Sequence, residues 1–416
     1  MKHLLLVLAV LIAAIVNAQD KSILFLGNSY TYTANLPQMV YELALANGDT
    51  IYHESNTPGG YTLEGHSTNN STLTKIASRD WDFVVLQEQS QRPSFPPTQV
   101  ADDVYPYAAI LVDSIKSNYE CTEPVFFMTW GRRDGDQQNC QFYAPLCTFE
   151  GMNARLRESY TEMADVNDAT VAPCGAAWQQ MKLDNPTFWN GLYSGDGSHP
   201  SAWGTYLNAC IFYATMFRES PVGLDYYASI GQADAEVLQQ LAEDMVMDSL
   251  DNWFVGHQDV VADASYNVLG SGVAEFIQSS ANATEHYWDF GNGQTSTESN
   301  PTHNFLGATV AEVEYIASSE CGSDTIQLEV LFGPFSVEEN PLYEIDVIVQ
   351  DNRILTSNDL NSDLTISIFD LSGKVILAES IGANTQSTID INLNKGLYLI
   401  RLDDGKHQST RKLFLR

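Results

Sequence analysis

The chain has few basic residues, few cysteines and, apart from its N-terminus, no long apolar run. It carries 53 acidic residues against only 20 Lys and Arg, so its formal net charge is -33. A surface of this sign repels nucleic acid and anionic lipid, and partners of both kinds are therefore excluded. No later segment approaches the roughly 20 apolar residues of a membrane-spanning helix.

The N-terminus has the pattern of a secretory signal peptide. Lys2 and His3 precede an apolar run, and Val16-Asn17-Ala18 forms a small-residue cleavage site. We therefore predict a signal peptide over residues 1–18 and export of the rest of the chain. An uncleaved membrane anchor is the alternative.

The cysteines favour disulfides over a metal site. The sequence has six cysteines, with no CxxC pair and no histidine partner at metal spacing, so we predict no metal. Export permits disulfides, and Cys140 and Cys147 flank a short loop-like segment that makes them the candidate pair. Four cysteines remain as possible buried thiols: Cys121, Cys174, Cys210 and Cys321.

The long first part of the chain alternates between strand and helix patterns. Apolar runs such as "WDFVVLQ" and "PVFFMTW" alternate with helical spacing over Leu36–Asn47, Val100–Ser117, Glu150–Asp165 and Ala202–Phe217. This alternation predicts a parallel sheet covered on both faces by helices, which is a doubly wound α/β domain over residues 21–255. The ligand site of such a domain lies at the carboxyl ends of its strands.

The remainder of the chain has the sequence pattern of β-strands. Helical periodicity fades, and "TVAEVEYIAS" and "DTIQLEVLF" alternate apolar and polar residues with period two. We predict a small all-β sandwich over residues 256–333. Further alternating strands, separated by turn residues, predict a second small all-β sandwich over residues 341–416.

Ser29 follows the first predicted strand, in "FLGNSYT". Ser, Asn and Gly are ordinary turn residues, so turn formation alone is one explanation of this segment. As a nucleophile, Ser29 needs a base within hydrogen-bond reach. His199 lies after the fifth predicted strand, and Asp196 precedes it by three residues, close enough to orient the imidazole ring. These three residues are the candidate catalytic triad.

Other strand ends offer groups for an oxyanion hole and for substrate. The backbone of Gly60 follows the second strand and the Gln89 side chain follows the third, and both can donate to a developing oxyanion. Three residues near these ends are candidate substrate contacts, with core packing or a salt bridge as the alternative: Tyr61, His66 and Arg132.

The segments "GNSYT", "PGGYTLEGH", "VVLQEQSQ" and "DGSHPS" resemble, in order and spacing, the four blocks of the SGNH/GDSL hydrolases. The resemblance implies a flavodoxin-like fold and a Ser-His-Asp triad of Ser29, His199 and Asp196. It also implies an oxyanion hole built from the N–H of Ser29, the N–H of Gly60 and a carboxamide. No cofactor is implied.

The chain departs from that family pattern at two places. Asn28 stands where the family has Asp, and Gln87-Glu88-Gln89 replaces the usual Gly-x-Asn. Gln89 aligns best with the oxyanion Asn, and related carbohydrate acetylesterases also use a glutamine there. The Glu88 carboxylate would oppose an oxyanion, so we expect it to point elsewhere.

The two predicted sandwiches carry resemblances of their own. "WDFGNG" followed by "NPTHNF" resembles PKD-like domains, which implies an extracellular spacer or glycan-facing module. "FDLSGK", "KGLYLIRL" and the basic end "RKLFLR" resemble the C-terminal sorting domain of the type IX secretion system of Bacteroidetes, through Asp370, Gly373, Gly396 and Tyr398. This implies contact with that secretion machinery and a secreted or cell-surface location beyond the outer membrane.

Taken together, these features predict a secreted serine esterase, a carboxylic ester hydrolase that removes acetyl or other acyl groups from carbohydrates through an acyl-enzyme. The carbohydrate part rests on association, because one fold hosts many substrates. Two alternatives stay open: a non-catalytic glycan-binding or adhesion protein on the same fold, and a lipase or thioesterase.

Overall fold

The computed structural model describes residues 20–270, 272–332, 342, 345, 347–350, 353–370, 373–391, 393 and 396–415. The predicted signal peptide lies outside the described residues. The described residues form two compact units. The first is drawn from Met1–Asn267, Glu275–His303 and Glu312–Leu328, and the second from Val268–Ala274, Asn304–Ala311 and Glu329–Arg416. Within the described ranges, no helix has the length and apolar character needed to cross a membrane.

A parallel sheet organises the α/β part of the first unit. Its strands are β1 (Asp20–Leu26), β2 (Thr50–Asn56), β3 (Phe83–Leu86), β4 (Glu123–Phe127) and β5 (Thr170–Ala172). The five strands pair in the order β2-β1-β3-β4-β5, and every pairing is parallel. This is the flavodoxin-like doubly wound order, and it confirms the predicted fold class. The strand order reverses between β1 and β3, so a crevice is expected at the carboxyl ends of these two strands.

Helices cover the sheet. They are α1 (Ser29–Tyr32), α2 (Leu36–Asn47), α3 (Leu63–Ser67), α4 (Asn70–Ile76), α5 (Pro97–Asp103), α6 (Tyr105–Asn118), α7 (Phe149–Val166), α8 (Cys174–Asp184), α9 (Pro186–Gly191), α10 (Ala202–Phe217) and α11 (Gln232–Val246). Successive β1 residues enter different cores. The Phe25 ring lies 5.9 Å from the Phe212 ring of α10, and Leu24 belongs to the other core, which includes Leu111 of α6. Both faces of the sheet are therefore buried, as continuous apolar strands require.

The helix predicted over Val100–Ser117 is wrong in one respect, because it is two helices, α5 and α6. The break falls at Val104, and Pro106 occupies the first turn of α6. Proline has no N–H to donate to the preceding turn, and its ring collides with the carbonyl four residues earlier. It therefore ends α5 and starts a new helix.

The first β-rich region contains two sheets. Its strands are β6 (Ala264–Gly270), β7 (Val273–Gln278), β8 (Glu285–Asp289), β9 (Thr295–Ser296), β10 (Thr302–Asn304), β11 (Val310–Ser319) and β12 (Gly322–Leu331). The sheet orders are β10-β7-β6 and β12-β11-β8-β9. The Phe276 ring of β7 packs on the Trp288 ring of β8, with centroids 5.1 Å apart, so an aromatic contact joins the two sheets.

The second β-rich region again has a three-stranded and a four-stranded sheet. Its strands are β13 (Val347–Gln350), β14 (Arg353–Asn358), β15 (Leu364–Phe369), β16 (Val375–Ile381), β17 (Thr385–Asp390), β18 (Gly396–Asp403) and β19 (Gln408–Leu415). The orders are β13-β14-β17 and β16-β15-β18-β19, joined by antiparallel pairs. Asp370 and Gly373 turn the chain between β15 and β16: the Gly373 N–H donates to the Asp370 carbonyl at 3.0 Å, with Gly373 at φ 83°.

Two disulfides and two thiols account for the cysteines. The predicted Cys140–Cys147 disulfide is present. Cys121 and Cys321, expected as possible thiols, are instead joined to each other across 200 residues of sequence. No spacing pattern marks that pair, since only the fold brings the two segments together. Cys174 and Cys210 are buried thiols, as predicted.

Candidate active site

Ser29 lies at the carboxyl end of β1, where the strand turns sharply into α1. The Asn28 side-chain oxygen accepts the Tyr30 N–H at 3.1 Å and so caps the short helix. Gly27 permits the turn because a Cβ there would lie 2.4 Å from Thr31 Oγ1 and 2.7 Å from Gln87 Oε1. The turn leaves the Ser29 side chain half-buried at the sheet edge.

The structure brings the three candidate triad residues into one hydrogen-bonded chain. His199 Nε2 lies 2.8 Å from Ser29 Oγ. His199 Nδ1 lies 2.6 Å from Asp196 Oδ2. A carboxylate can only accept, so Nδ1 carries the hydrogen and Nε2 is left to accept the serine proton. This arrangement can activate a hydroxyl as a nucleophile.

The loop that carries His199 is organised around the other oxygen of Asp196. Asp196 Oδ1 accepts the N–H groups of Ser198 and His199, each at 3.0 Å, and the Ser194 hydroxyl at 2.9 Å. Desolvation alone would raise the pKa of Asp196, but the hydrogen bonds from His199, Ser198 and Ser194 outweigh it and hold that pKa well below its usual range. Asp196 therefore stays ionised at neutral pH.

Two buried aromatic residues, Tyr30 and Trp130, contact the loop that carries His199. The Tyr30 hydroxyl is 2.6 Å from Ser198 Oγ, and Trp130 Nε1 donates to the Ser198 carbonyl at 3.1 Å. The Tyr30 and Trp130 rings stack with centroids 4.9 Å apart, and the Tyr30 ring meets the His199 ring edge-on at 5.3 Å. Sequence reasoning missed Tyr30, although it directly follows the candidate nucleophile.

His66 is not placed to contact substrate, contrary to expectation. Its side chain is completely buried. Its ring nitrogens lie 2.9 Å from the Gly27 carbonyl and 2.8 Å from Thr72 Oγ1, so Nε2 donates and Nδ1 accepts. Burial lowers the pKa of His66, which keeps the ring neutral. The residue fastens the segment after β2 to the turn before Ser29.

The segment after β2 is also attached through Asn28. Asn28 Nδ2 donates to the Tyr61 carbonyl at 2.8 Å. Gly60, next to it, is exposed and has φ 70°, a left-handed conformation that suits glycine. Tyr61 is half-buried, and its hydroxyl accepts from Asn69 Nδ2 at 2.8 Å. Asn28 thus both caps α1 and binds the neighbouring loop.

Two glutamines follow β3, and they have different surroundings. Gln87 is buried, and its Oε1 accepts the Asn28 N–H and the Thr31 hydroxyl, both at 2.9 Å. Gln89 is half-buried, and its side chain exchanges hydrogen bonds with Gln91 at 2.9 and 3.0 Å. Gln87 therefore holds the nucleophile turn, a role that sequence reasoning missed. Its signal was its position directly after a buried strand beside β1.

Arg132 follows β4 at the same edge of the sheet. Its guanidinium donates to the completely buried Asp136 carboxylate at 3.2 Å, and 24% of its side chain is exposed. Gln91 Nε2 also donates to Asp136, at 2.7 Å, so a polar network runs from Arg132 through Asp136 to Gln91 and Gln89. Arg132 thus forms a salt bridge, which was the alternative to a substrate contact, and part of its side chain is also exposed.

Glu88, whose carboxylate would oppose an oxyanion, is bound within the protein. Its side chain is completely buried and accepts the backbone N–H groups of Leu63 and Gln89. Elsewhere, no cluster of three or more His, Cys, Asp or Glu side chains able to hold a metal occurs among the residues that the structure describes.

Comparison with known proteins finds a family match for the C-terminal part of the chain. Residues 349–416 match a family model described as the secretion system C-terminal sorting domain. No curated protein matches the chain in sequence.

Several solved structures are similar to parts of the chain. A DUF4886 family protein from Bacteroides uniformis is 18% identical and has a TM-score of 0.46, over 56% of this chain and 95% of its own. A candidate SGNH hydrolase from Slackia heliotrinireducens is 29% identical, with a TM-score of 0.39, over 48% of this chain and 100% of its own. The PKD1 domain of the metalloprotease PrtV from Vibrio cholerae is 33% identical, with a TM-score of 0.17, over 18% of this chain and 95% of its own.

The C-terminal segment, residues 349–416, is thus similar to the secretion system C-terminal sorting domains.

Proposed function

We propose that the protein is an SGNH-type serine esterase that hydrolyses ester bonds, with acyl groups on carbohydrates as its substrates. The observation that carries the proposal is the continuous hydrogen-bonded chain from Asp196 through His199 to Ser29, with contacts of 2.6 and 2.8 Å. A glycan-binding protein would have no use for an imidazole oriented by a carboxylate and aimed at a hydroxyl.

In the proposed reaction, Ser29 Oγ attacks the ester carbonyl carbon while His199 Nε2 takes the hydroxyl proton. The tetrahedral intermediate collapses as His199 gives that proton to the leaving alcohol, and an acyl-Ser29 ester remains. Water then attacks this ester and passes a proton to His199, and the proton returns to Ser29 Oγ as the acid leaves. Ionised Asp196 stabilises the imidazolium that forms twice in this cycle.

The proposed oxyanion hole consists of the N–H groups of Ser29 and Gly60 and the Gln89 carboxamide. The Ser29 N–H lies at the start of a helix, where backbone donors are unused by the helix itself. The exposed Gly60 has no side chain to keep substrate from its backbone. Gln89 Nε2 would exchange its Gln91 partner for the oxyanion when substrate binds, since that contact is made within an adaptable side-chain pair.

Tyr61 and Arg132 are the proposed substrate contacts. Tyr61 adjoins Gly60 and is half-buried, and Arg132 keeps 24% of its side chain exposed. A guanidinium at this edge favours substrates with acidic sugars. Arg132→Gln is therefore expected to raise KM for acetylated pectin more than for acetylated xylan, and equal effects on both would contradict the contact.

The reaction is tested by acetate release from acetylated xylan, acetylated pectin and p-nitrophenyl acetate. Ser29→Ala and His199→Ala are each expected to lower kcat by several orders of magnitude, because triad members act as a unit. Ser55→Ala and His53→Ala are matched controls on β2, outside the triad, and should retain the wild-type rate.

The alternatives give different results in the same assay. A glycan-binding protein would release no acetate and would bind the polysaccharides equally well as Ser29→Ala. A lipase or thioesterase would prefer long acyl chains over acetate on p-nitrophenyl esters. Either pattern would replace the carbohydrate esterase proposal.

We also propose that the chain is exported and reaches the cell surface or the medium. The sorting-domain match over residues 349–416 supports this, and the signal-peptide pattern supports the first step of export. Deleting residues 349–416 is expected to leave the protein inside the outer membrane. Normal export of the truncated chain would contradict the proposal.

A further inference from the structure

One carboxylate in the α/β part is completely buried between two loops of the candidate site. Glu88 Oε2 accepts the Leu63 N–H at 3.1 Å, and Oε1 accepts the Gln89 N–H. The Glu88 backbone N–H donates to the Tyr160 hydroxyl at 3.3 Å, which fixes the residue against α7. The proposed reaction does not use this group.

The two N–H groups that Glu88 binds belong to the segments that carry the proposed oxyanion donors. Leu63 starts α3, two residues after Tyr61, and the Tyr61 carbonyl is bound by Asn28 beside Ser29. Gln89 is itself the proposed carboxamide donor. The Glu88 carboxylate is therefore a direct and buried link between the loop after β2 and the loop after β3.

We propose that Glu88 is a positioning residue, whose ionised carboxylate holds the Gly60 and Gln89 segments together and so sets the geometry of the oxyanion hole. This inference rests on the proposed esterase function. Oxyanion donors stabilise the developing charge when they lie about 2.7–3.1 Å from the oxygen that carries it, which leaves a tolerance of only a few tenths of an ångström. A single acceptor shared by both loops gives that precision without touching the substrate.

The charge of Glu88 changes near neutral pH. Burial raises its pKa to about 7, against the opposing effects of the Gln89 N–H, the Arg92 charge and the Leu63 N–H. The charged groups facing it are Arg92, which lowers its pKa, and Glu64, which raises it; these two pair with each other at 3.1 Å. The Tyr160 hydroxyl is a further polar neighbour.

Protonation would weaken the link. One carboxyl oxygen becomes a hydroxyl that donates, so one of the two N–H groups loses its full acceptor. A buried N–H without an acceptor is costly, and the loops are expected to move apart. The ionised form is therefore the one that supports catalysis.

The first test compares wild-type protein with Glu88→Gln on p-nitrophenyl acetate between pH 5 and 9. At pH 8 we expect kcat to fall by about tenfold or more, with KM within about twofold, because an oxyanion hole acts on the transition state. Below pH 7 the wild-type kcat/KM should fall as the Glu88 carboxylate takes up a proton. This part of the pH dependence should be absent from Glu88→Gln, which has no carboxylate at that position.

The second test moves the pKa of Glu88 without changing the residue. Arg92→Gln removes the charge that lowers this pKa, so the acid limb should move to higher pH. Glu64→Gln removes the charge that raises it, so the limb should move to lower pH. Both variants should keep the wild-type kcat at pH 9, and they remain informative even if Glu88→Gln does not fold.

Three results decide the matter. Opposite shifts in Arg92→Gln and Glu64→Gln, with the kcat loss in Glu88→Gln, support the positioning role. An unchanged profile in all three variants overturns it while leaving the esterase proposal intact. A wild-type protein that is inert on every ester at every pH overturns the proposed function, and this inference with it.

Discussion

Asp196→Asn is the substitution whose effect follows most closely from the site. The loop contacts of Oδ1, from the N–H groups of Ser198 and His199, can survive because asparagine keeps one carbonyl oxygen. The other oxygen, 2.6 Å from His199 Nδ1, becomes an amide nitrogen that donates. Nδ1 must then accept, and the ring hydrogen moves to Nε2, the atom 2.8 Å from Ser29 Oγ. The imidazole can no longer take the serine proton.

The expected loss is about 10⁴-fold in kcat, the size seen when a triad carboxylate becomes an amide with its geometry intact. This corresponds to about 5.5 kcal/mol of transition-state stabilisation. The stability of the fold should change by less than about 1 kcal/mol, because the Asp196 side chain is half exposed (50%). The activity loss should therefore greatly exceed the stability loss.

The assay is hydrolysis of p-nitrophenyl acetate at pH 8, with urea unfolding measured on the same samples. Ser194→Ala is the matched control, since it removes only one hydroxyl, at 2.9 Å, from Oδ1 and leaves the tautomer unchanged. Its kcat should stay within about tenfold of wild type. If Asp196→Asn lost no more activity than Ser194→Ala, the assignment of Asp196 as the orienting residue would be refuted.

Three further predictions concern stability and are measured by urea unfolding. Gly27→Ala should cost about 1–3 kcal/mol or more, because its Cβ would meet side chains at 2.4 and 2.7 Å, whereas Gly59→Ala meets its nearest atom at 3.7 Å and should be tolerated. Replacing Cys121 and Cys321 by serine opens a crosslink across 200 residues, worth about 5 kcal/mol by chain entropy, and an unchanged unfolding midpoint would contradict that value. The pKa of Glu88 is raised to about 7, above its unfolded value. The contribution of this shift to the free energy of unfolding is therefore present in full below pH 4 and is lost as pH rises through 7. Relative to Glu88→Gln, the free energy of unfolding of the wild type should fall by about 3 kcal/mol between pH 4 and 8. A rise over this range would contradict the prediction.

Helices with clear ends could be read from the sequence. Leu36–Asn47 and Ala202–Phe217 were predicted to the residue, because Gly48 with φ 92° ends the first and the Ser201 hydroxyl caps the second. The short helices α3 and α4 were not predicted. Their segment is rich in Thr, Ser and Asn, which favour turns, but Thr62 and Asn69 act there as helix caps. Propensity alone does not separate these two uses.

Some residues of the candidate site could likewise be predicted from the sequence, and others could not. Ser29, Asp196 and His199 could be proposed from the sequence because each follows a predicted strand, and parallel strands bring their carboxyl ends to one edge. The parts that hold them could not. Gln87, Tyr30 and the buried His66 act through partners distant in sequence, and such contacts leave no spacing pattern. From the sequence we therefore predicted a substrate contact for His66, whereas in the structure its ring forms a hydrogen bond that joins two loops.

The central claim is that Ser29 is an activated nucleophile, and covalent labelling tests it most directly. The mature protein would be treated with a fluorophosphonate, and the modified residue would be located by peptide mass spectrometry. We predict one phosphonyl group on Ser29 in wild-type protein, slow labelling in His199→Ala, whose base is missing, and none in Ser29→Ala. Labelling spread over other serines, or a wild-type Ser29 that stays unmodified while the protein remains folded, would contradict the account.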